Sequence, residues 1–429
     1  MIVCKFGGSS VASTAQLKKV KDIILSDENR QIVIVSAPGK CFKDDVKVTD
    51  LLYECNSIVQ KNLSCREVFK KVAERYVEIA KGFKLDVKEL NAVLDGVRFN
   101  IDAGRGTDYT ASRGEYLSAY LFSQVLGWSF LDTADVIIIN PDGTVAPESY
   151  DLIKRAIIPG KKYVIPGFYG ATSNGQVKTF SRGGSDITGA IFARALGATL
   201  YENWTDVSGI YAADPRLINN ARVIPELTYK QVRELSDVGA SVFHEEAIAP
   251  IYERQIPIQI KNTNQPEDKG TLIVPETSSK DLIGVSGKTG FSALRVSKLM
   301  LFKKYGARHA MLTMMHIFGV RPSYSLYGID SIVWYFESKM ASISVAKAMC
   351  DRLKKEFELD EVTVVPDQAV VGLVGDMTST SYIDAAVALR KANIDINSIN
   401  YGASEVTTLF FINDKDLNPA INAIYEACF

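Results

Sequence analysis

Short apolar segments alternate with amphipathic segments over the first two thirds of the chain. Continuous Val- and Ile-rich runs are typical of strands buried on both faces of a sheet, and helical spacing of apolar residues marks the segments between them. The predicted strands are 2–6, 31–35, 135–139, 162–166, 198–203 and 256–261, and the predicted helices include 50–62, 65–81, 113–126 and 187–197. This alternation predicts an α/β domain with an open sheet sandwiched by helices.

The last third of the chain has a different order of elements. A polar segment at 262–280, rich in turn formers, is typical of a domain boundary. After it, the order strand, helix, strand, strand, helix occurs twice, and the first of these strands is predicted at 293–302. This order predicts two ferredoxin-like βαββαβ modules, although two plain α+β layers would give a similar pattern. We expect domains at 1–278, 279–362 and 363–429, and the two modules could be interleaved.

Composition narrows the classes of function. The chain has 429 residues, of which 47% are hydrophobic, and a formal net charge of -1, which argues against general binding to nucleic acid or anionic membranes. No apolar run approaches the roughly 20 residues that span a bilayer. Six scattered cysteines without metal-ligand spacing are typical of reduced thiols. We therefore expect a soluble cytoplasmic protein whose partners are small molecules or other subunits.

Two glycine-rich turns have the residues of phosphate sites. The first, from Lys5 to Val11, places an ammonium group and two glycines between a strand and a helix whose start is marked by a capping box at 13–16. The second, at 180–186, adds Arg182, whose bidentate fork suits a carboxylate or phosphate. Asp186 could cap its own helix, or it could orient Lys5 or a magnesium-bound phosphate.

Other polar residues follow predicted strands or begin predicted helices. Residues 205–216 lie beyond a strand end, where open α/β sheets bind ligands. Without the two glycine-rich turns, an Asp-Pro turn with a buried tyrosine would be the preferred interpretation. Glu115, at the predicted start of a helix, could complement the helix dipole or hold a substrate ammonium group. Ser36 and Thr49 add hydroxyl groups after the strand at 31–35.

Together these motifs resemble those of the aspartate kinases in the amino-acid kinase family. The matching motifs are 5–11, 112–115, 182–186, 205–216, 239–244, 261–263 and, in the second C-terminal module, 399–405. The C-terminal modules resemble the paired ACT domains of that family. The resemblance implies ATP-dependent phosphorylation of the aspartate side-chain carboxylate to 4-phosphoaspartate, the first step of lysine, threonine and methionine biosynthesis. The chain has no Walker A, H-R-D or D-F-G motif, which argues against P-loop and protein kinases.

The resemblance also implies a role for each site residue. Lys5, Arg182 and Asp186 would be the catalytic residues, and Lys5 would meet the transferring phosphoryl group. The substrate ligands would be Ser36, Thr49, Glu115, Arg182 and Ser185. The ATP ligands would be Lys5, Gly7, Gly8, Ser9, Gly183, Gly184, Thr205, Asp206, Tyr211, Asp214, Arg216 and Lys261. Mg²⁺ would arrive with ATP, without protein side chains as its ligands.

Regulation by an amino-acid effector, lysine or threonine, and a homodimer formed through the ACT-like modules are also implied. The residues expected to line the effector site are Leu301, Arg321, Tyr327 and Asp330. Asp330 would hold the effector's ammonium group. Because Tyr327 replaces a small hydroxyl residue, we expect inhibition weaker than is usual for the family.

The chain also departs from the family's pattern. Ser241 stands where members commonly carry a lysine near the nucleotide, and residues 41–47 lengthen the segment between Ser36 and Thr49. Two rival hypotheses are another amino-acid kinase, specific for glutamate or acetylglutamate, and a non-catalytic amino-acid sensor. The paired modules and residues 112–115 favour aspartate. Retention of the three catalytic residues argues against a sensor, which needs no transferable phosphoryl group.

Overall fold

The chain forms two compact units in a computed structural model that describes residues 1–181, 183–240, 243, 245–277, 281–375 and 381–429. The first unit comprises Met1–Ile210, Val223–Val232 and Ser241–Thr277. The second comprises Tyr211–Arg222, Arg233–Ala240 and Ser278–Phe429. Two short segments that precede residue 241 in the sequence therefore belong to the second unit.

An eight-stranded sheet forms the centre of the first unit. The strands of this unit are β1 (Ile2–Phe6), β2 (Arg30–Val35), β3 (Ser129–Phe130), β4 (Tyr163–Pro166), β5 (Tyr169–Ala171), β6 (Val177–Thr179), β7 (Leu200–Thr205), β8 (Glu226–Thr228), β9 (Ile258–Asn262) and β10 (Thr271–Val274). The sheet order is β3-β4-β2-β1-β7-β9-β10-β8, and the neighbours from β3 to β9 are parallel. β5 and β6 form a separate hairpin. The predicted α/β fold is confirmed.

Helices cover this sheet. They are α1 (Thr14–Leu25), α2 (Val48–Val59), α3 (Arg66–Gly82), α4 (Val87–Asp102), α5 (Thr107–Leu126), α6 (Glu148–Ala156), α7 (Gly184–Leu196) and, after α8 (Tyr229–Asp237), α9 (Ile248–Tyr252). The helix α8 begins in the first unit and ends in the second. α1 begins where the capping box predicts, because the Ser13 hydroxyl accepts the Gln16 N–H at 3.3 Å. Side chains of α1 to α5 share one core with Phe6 and Trp204 of the sheet. No helix in the described part of the chain is both long and apolar enough to cross a membrane.

The second unit contains one six-stranded antiparallel sheet. Its elements are β11 (Leu282–Ser297), α10 (Ala307–Ile317), β12 (Tyr324–Tyr327), β13 (Ser331–Glu337), α11 (Ile343–Phe357), β14 (Glu361–Gly375), α12 (Ser381–Lys391), β15 (Ser398–Asn400), β16 (Thr407–Asn413) and α13 (Leu417–Cys428). The sheet order is β12-β13-β11-β14-β16-β15. The predicted succession of strands and helices is confirmed, and it is built on a single sheet.

The two long central strands serve both halves of that sheet. β11 and β14 pair with each other over most of their length. The second half of β11 also pairs with β13, and the second half of β14 also pairs with β16. One core gathers around α10 and α11 and another around α12 and α13. The first part of β14 therefore forms the edge strand of the half that contains β13, and the first part of β11 forms the edge strand of the half that contains β16.

Several predicted elements are wrong. Residues 135–139 are not a strand: a 3₁₀ turn covers Thr133–Asp135, and Ile138 and Ile139 make only isolated bridges. These residues are apolar because they are buried under the β5–β6 hairpin, where the Ile139 N–H donates to Ala171 at 2.7 Å. The strand expected at 293–302 instead begins at Leu282 and ends at Ser297.

Candidate functional site

Three buried polar side chains, Lys5, Asp186 and Asn203, form a cluster in the first unit. The Lys5 ammonium lies 2.6 Å from Asp186 Oδ1 and donates to Asn203 Oδ1 at 3.3 Å. The Asn203 amide also donates to Asp186 Oδ1 at 2.9 Å. All three residues are less than 10% exposed. A buried cation is therefore held by a carboxylate and oriented by an amide that contacts both.

The fold brings this cluster together through strand register and a helix start. β1 and β7 are parallel neighbours in which Lys5 is directly opposite Asn203, so both side chains point to the same face of the sheet. Asp186 lies in the first turn of α7, which begins after Gly183 in a left-handed conformation (φ +75°) that favours glycine. Asp186 makes no side-chain cap at this helix start. Its carboxylate instead joins the two glycine-rich turns through Lys5.

The first glycine-rich turn is a 3₁₀ helix over Gly8–Val11. Gly7 precedes it in extended conformation, and Ser9 lies within it, half-buried. A Cβ on Gly8 would lie only 2.9 Å from the carbonyl oxygen of Ala37, so this glycine is required by packing of backbone against backbone. The predicted reason for the glycine, room for a phosphate, is therefore not needed to explain position 8.

The segment after β2 lies against this turn. Ser36 follows β2, is half-buried, and donates its N–H to the Phe6 carbonyl at 3.2 Å. The Gly39 N–H donates to the Gly8 carbonyl at 2.8 Å. Thr49 lies in the first turn of α2 and is half-buried. Both predicted hydroxyl ligands are therefore carried by one segment whose middle contacts the glycine-rich turn.

Glu115 is a buried side chain with one carboxylate oxygen that lacks a hydrogen-bond partner among the described residues. Its side chain is enclosed in the first unit, and that oxygen is Oε2. Burial raises the pKa of Glu115 to about 8, although a hydrogen bond from the Ala37 N–H and the charge of Arg113 oppose this. Such an orphaned oxygen suits a ligand that brings a cationic donor, as an ammonium group does.

The predicted position of Glu115 in the first helical turn is wrong. α5 begins at Thr107, after Gly106 with φ +91°, so Glu115 lies in the third turn. Interaction with the helix dipole therefore does not explain this residue, because that effect fades beyond the first turn. Its neighbour Arg113 packs its guanidinium against the rings of Tyr109, Tyr116 and Tyr169.

The second glycine-rich turn is partly described. Gly184 and Ser185 open α7 and are buried, and Ser185 packs against Gly167, where a Cβ would lie 2.5 Å from its hydroxyl oxygen. The predicted catalytic residue Arg182 lies outside the described residues, as does Ser241.

The predicted nucleotide ligands are divided between the two units. Thr205 ends β7 and donates its hydroxyl to Asp206, which is exposed. Tyr211, Asp214 and Arg216 belong to the second unit, where Arg216 and Asp214 form an exposed ion pair of 2.6 Å. Hydrogen bonding from Arg216 lowers the pKa of Asp214.

Lys261 does not lie beside Lys5. It is opposite Trp204 in the parallel pairing of β9 with β7, and its ammonium lies 5.2 Å from the centre of the Trp204 ring. Because Trp204 follows Asn203 in β7, the two residues point to opposite faces of the sheet. The sheet therefore separates Lys261 from the Lys5 cluster, and we leave Lys261 out of the phosphate site.

The residues predicted to line an effector site all lie in the second unit. Leu301 is buried and Arg321 is exposed. The Tyr327 ring is half exposed and lies under the Arg308 guanidinium, 4.7 Å away. Asp330 is partly buried, and its Oδ1 is buried without a partner in the part of the chain that the structure describes.

Asn203 is the site residue that the sequence prediction missed. It lies in a strand that was predicted as buried, where Glu202 and Asn203 are consecutive polar residues. Two adjacent polar residues in a buried strand point to opposite faces, and each needs a buried polar partner on its own face. The pair Glu202 and Asn203 is therefore the sequence feature that could have identified Asn203 as a site residue. Glu202 finds Arg30, at 2.8 Å, on the face opposite Asn203.

The donor set of the site suits a phosphate better than a resident metal ion. Across the described ranges, no three His, Cys, Asp or Glu side chains lie together as a metal site would require. Asp186 is a single carboxylate already paired with a lysine. The residues present therefore fit a metal ion that is carried by phosphate oxygens, as Mg²⁺ is by ATP.

Comparison with known proteins identifies the family. Residues 1–262 match the amino acid kinase family, and residues 371–428 match an ACT domain. Aspartokinase 3 of Bacillus subtilis is 34% identical over 100% of this chain and 99% of its own length. The aspartate kinase of Clostridium acetobutylicum has a similar structure, with a TM-score of 0.94 and 40% identity over 100% of both chains.

More distant structures share the fold. E. coli aspartokinase III, solved with aspartate and ADP and again with lysine and aspartate, has TM-scores of 0.80 and 0.77. The sequence identities are 24% and 23%, over 100% of this chain and 99% of that chain. The chain therefore belongs to the amino acid kinase family, within its group of aspartate kinases that carry ACT domains.

Proposed function

We propose that the first unit catalyses transfer of the γ-phosphoryl group of ATP to the side-chain carboxylate of L-aspartate, and that Lys5 stabilises this group during transfer. The observation that carries the residue assignment is the buried Lys5–Asp186 ion pair of 2.6 Å, which joins the two glycine-rich turns. Phosphoryl transfer depends mainly on positioning and on stabilisation of charge. A cation fixed in a site of low exposure supplies both.

Glu115 and Arg182 are the proposed ligands of the substrate's charged groups. The unpartnered Glu115 oxygen would accept from the aspartate ammonium group, and Arg182 would hold its carboxylates. Ser36, Thr49 and Ser185 would assist as hydroxyl donors. E. coli aspartokinase III, which has the same fold, is known in complex with aspartate and ADP, which supports aspartate and an adenine nucleotide as ligands of this chain.

The nucleotide phosphates would be held by the two glycine-rich turns, through Gly7, Gly8, Ser9 and the start of α7 at Gly183 and Gly184. Mg²⁺ bound to these phosphates would neutralise part of their charge. The adenosine part remains assigned by resemblance alone, to Thr205, Asp206, Tyr211, Asp214 and Arg216.

We further propose that the second unit binds lysine as an inhibitor and forms a homodimer, in a cytoplasmic enzyme. E. coli aspartokinase III has been solved with lysine, and Asp330 here offers an unpartnered carboxylate oxygen for an ammonium group. Activity titrated with lysine and with threonine, together with light scattering, tests this. Strong inhibition at low lysine concentration would contradict the weak effect that we expect from Tyr327, and a monomer would contradict the dimer.

A coupled assay of ADP formation tests the proposed reaction. The wild-type protein should turn over L-aspartate and leave L-glutamate largely unused. Glu115→Ala and Arg182→Ala should each raise the KM for aspartate by about 10- to 100-fold, because charge-assisted hydrogen bonds contribute roughly 1.5–3 kcal/mol. Equal turnover of glutamate would refute the substrate, and an unchanged KM in both variants would refute the ligands.

A further inference from the structure

The lengthened segment at 41–47 contributes no ligand to the proposed site. It connects Ser36 with Thr49, the two proposed hydroxyl ligands, and most of its side chains are exposed. A polar segment of this kind is usually mobile unless other groups hold it. The structure shows what holds it: one arginine of α3.

Arg75 makes three polar contacts with residues 41–47 and one with Gly39, just before them. Its NH2 group contacts both carboxylate oxygens of Asp45, at 2.8 and 2.7 Å. Its NH1 group contacts the Cys41 sulfur at 3.0 Å and the Gly39 carbonyl at 3.4 Å. The side chains of Arg75 and Asp45 are only 16% and 11% exposed, so this pair is largely shielded from solvent. Charge-assisted pairs that are shielded from solvent fix geometry better than exposed ion pairs.

Asp45 in turn organises the loop backbone. Its carboxylate accepts the Cys41 N–H and the Val46 N–H, both at 2.8 Å. Cys41 then donates its thiol to the Ala12 carbonyl at 3.1 Å, just beyond the first glycine-rich turn. The arginine therefore holds both ends of the inserted segment.

The longer segment from Ser36 to Thr49, in which residues 41–47 lie, contacts both halves of the proposed site. Its Gly39 N–H donates to Gly8 in the glycine-rich turn, and its Ala37 N–H donates to the Glu115 carboxylate. A shift of the loop would therefore move a ligand of the substrate ammonium group and a neighbour of the phosphate turn at the same time. Displacements of about 1 Å in such positioning groups can cost about 100-fold in rate.

We propose that Arg75, through its ion pair with Asp45, is a positioning residue that holds the 36–49 segment so that the glycine-rich turn and Glu115 keep their relative geometry. This inference rests on the proposed function of those groups. Arg75 itself contacts neither substrate nor nucleotide in this role. Its removal should therefore change both KM values together with kcat, which the loss of a single ligand would not do.

The kinetic test uses Arg75→Gln, Asp45→Asn and the double variant in the ADP-formation assay. Each single variant should raise the KM for aspartate and for ATP and lower kcat, with kcat/KM reduced by about 10- to 100-fold. Because both changes break one pair, the double variant should be little worse than either single variant. The reversed pair, Arg75→Asp with Asp45→Arg, should recover part of the loss.

Arg98→Gln is the matched control, because it breaks a similar ion pair with Asp102, at 3.1 Å, on the neighbouring helix α4. It should leave both KM values unchanged. Hydrogen exchange on each variant reports the loop directly and needs no activity. Arg75→Gln should lose protection at the Cys41 and Val46 amides while α1 and α5 stay protected.

Three results would overturn the proposal. They are an active Arg75→Gln protein with kinetics within twofold of wild type, additive losses in the double variant, and unchanged exchange at 41–46. If Arg75→Gln fails to fold, Asp45→Asn and the exchange data decide the question. A wild-type protein without aspartate-dependent activity would instead refute the proposed function, so the two failures can be told apart.

Discussion

Replacement of Glu115 by glutamine should remove a pH dependence that burial creates. Burial raises the pKa of this carboxyl from 4.5 to about 8, so the folded protein binds a proton that the unfolded chain has released at any pH between these values. The stability present below pH 4.5 is therefore lost as the pH rises through about 8. The pKa difference is about 3.5 units, and each unit corresponds to about 1.4 kcal/mol. The free energy of unfolding should therefore fall by at most about 5 kcal/mol over this pH range.

The same titration should govern aspartate binding. An ammonium group pairs with the ionised carboxylate, so kcat/KM for aspartate should rise by about tenfold per pH unit below pH 8 and level off above it. In Glu115→Gln the slope should disappear and the KM should be high at every pH. The fall in stability between pH 5 and pH 8, measured by urea unfolding, should also be smaller in this variant than in wild type.

Two outcomes would refute this reasoning. A slope retained in full by Glu115→Gln would mean that another group titrates, and an unchanged KM would mean that Glu115 does not bind the substrate. Glu67→Gln is the control, because Glu67 lies exposed in the first turn of α3 in the same unit. It should alter neither the slope nor the KM.

Three further predictions concern the phosphate side. Lys5→Ala should lower kcat by orders of magnitude in a protein with a wild-type circular dichroism spectrum, since its charge acts mainly in the transition state, and a near-normal kcat would refute that role. Asn203→Leu, which keeps the ion pair but removes both amide contacts, should lower kcat about tenfold with little change in the KM for aspartate. Ser241→Lys should tighten ATP binding measured by calorimetry, and unchanged affinity would make position 241 irrelevant to the nucleotide.

Local chemistry in the sequence was sufficient to predict the strand–turn–helix units. The alternation of apolar runs and amphipathic segments, and the capping box at Ser13, depend on neighbours within a few residues, so β1, α1 and α7 were found close to their observed limits. The proposed site residues carried the same kind of signal, glycines and charges at helix starts. α4 and α6 are not among the predicted helices, although both are amphipathic and α4 buries apolar residues at helical spacing from Leu90 to Ile101.

Most long-range partners could not be predicted in this way, although the contact of Asp186 with Lys5 is one of the alternatives that the second glycine-rich turn suggests. Asn203 owes its place to the register of β1 against β7, and Lys261 lies on the other face for the same reason. The pairing of β11 with β14 likewise depends on residues about 80 positions apart in the chain, which no local pattern encodes. An apolar pattern predicts that a residue is buried, but it does not predict which distant residues surround it.

Asp186 has two opposing effects on Lys5, and the amide of Asn203 reduces the unfavourable one. A lysine bound by a buried carboxylate at 2.6 Å is fixed in place before any phosphate arrives, which spares the reorganisation that a free lysine would need. The same carboxylate also competes for its charge. Because Asn203 donates to Asp186 Oδ1, it shares that oxygen with Lys5 and weakens the competition, while its own oxygen keeps the ammonium directed. The Lys5 ammonium group can then donate a hydrogen bond to a phosphoryl oxygen while Asp186 remains paired, so no buried carboxylate is left without a partner.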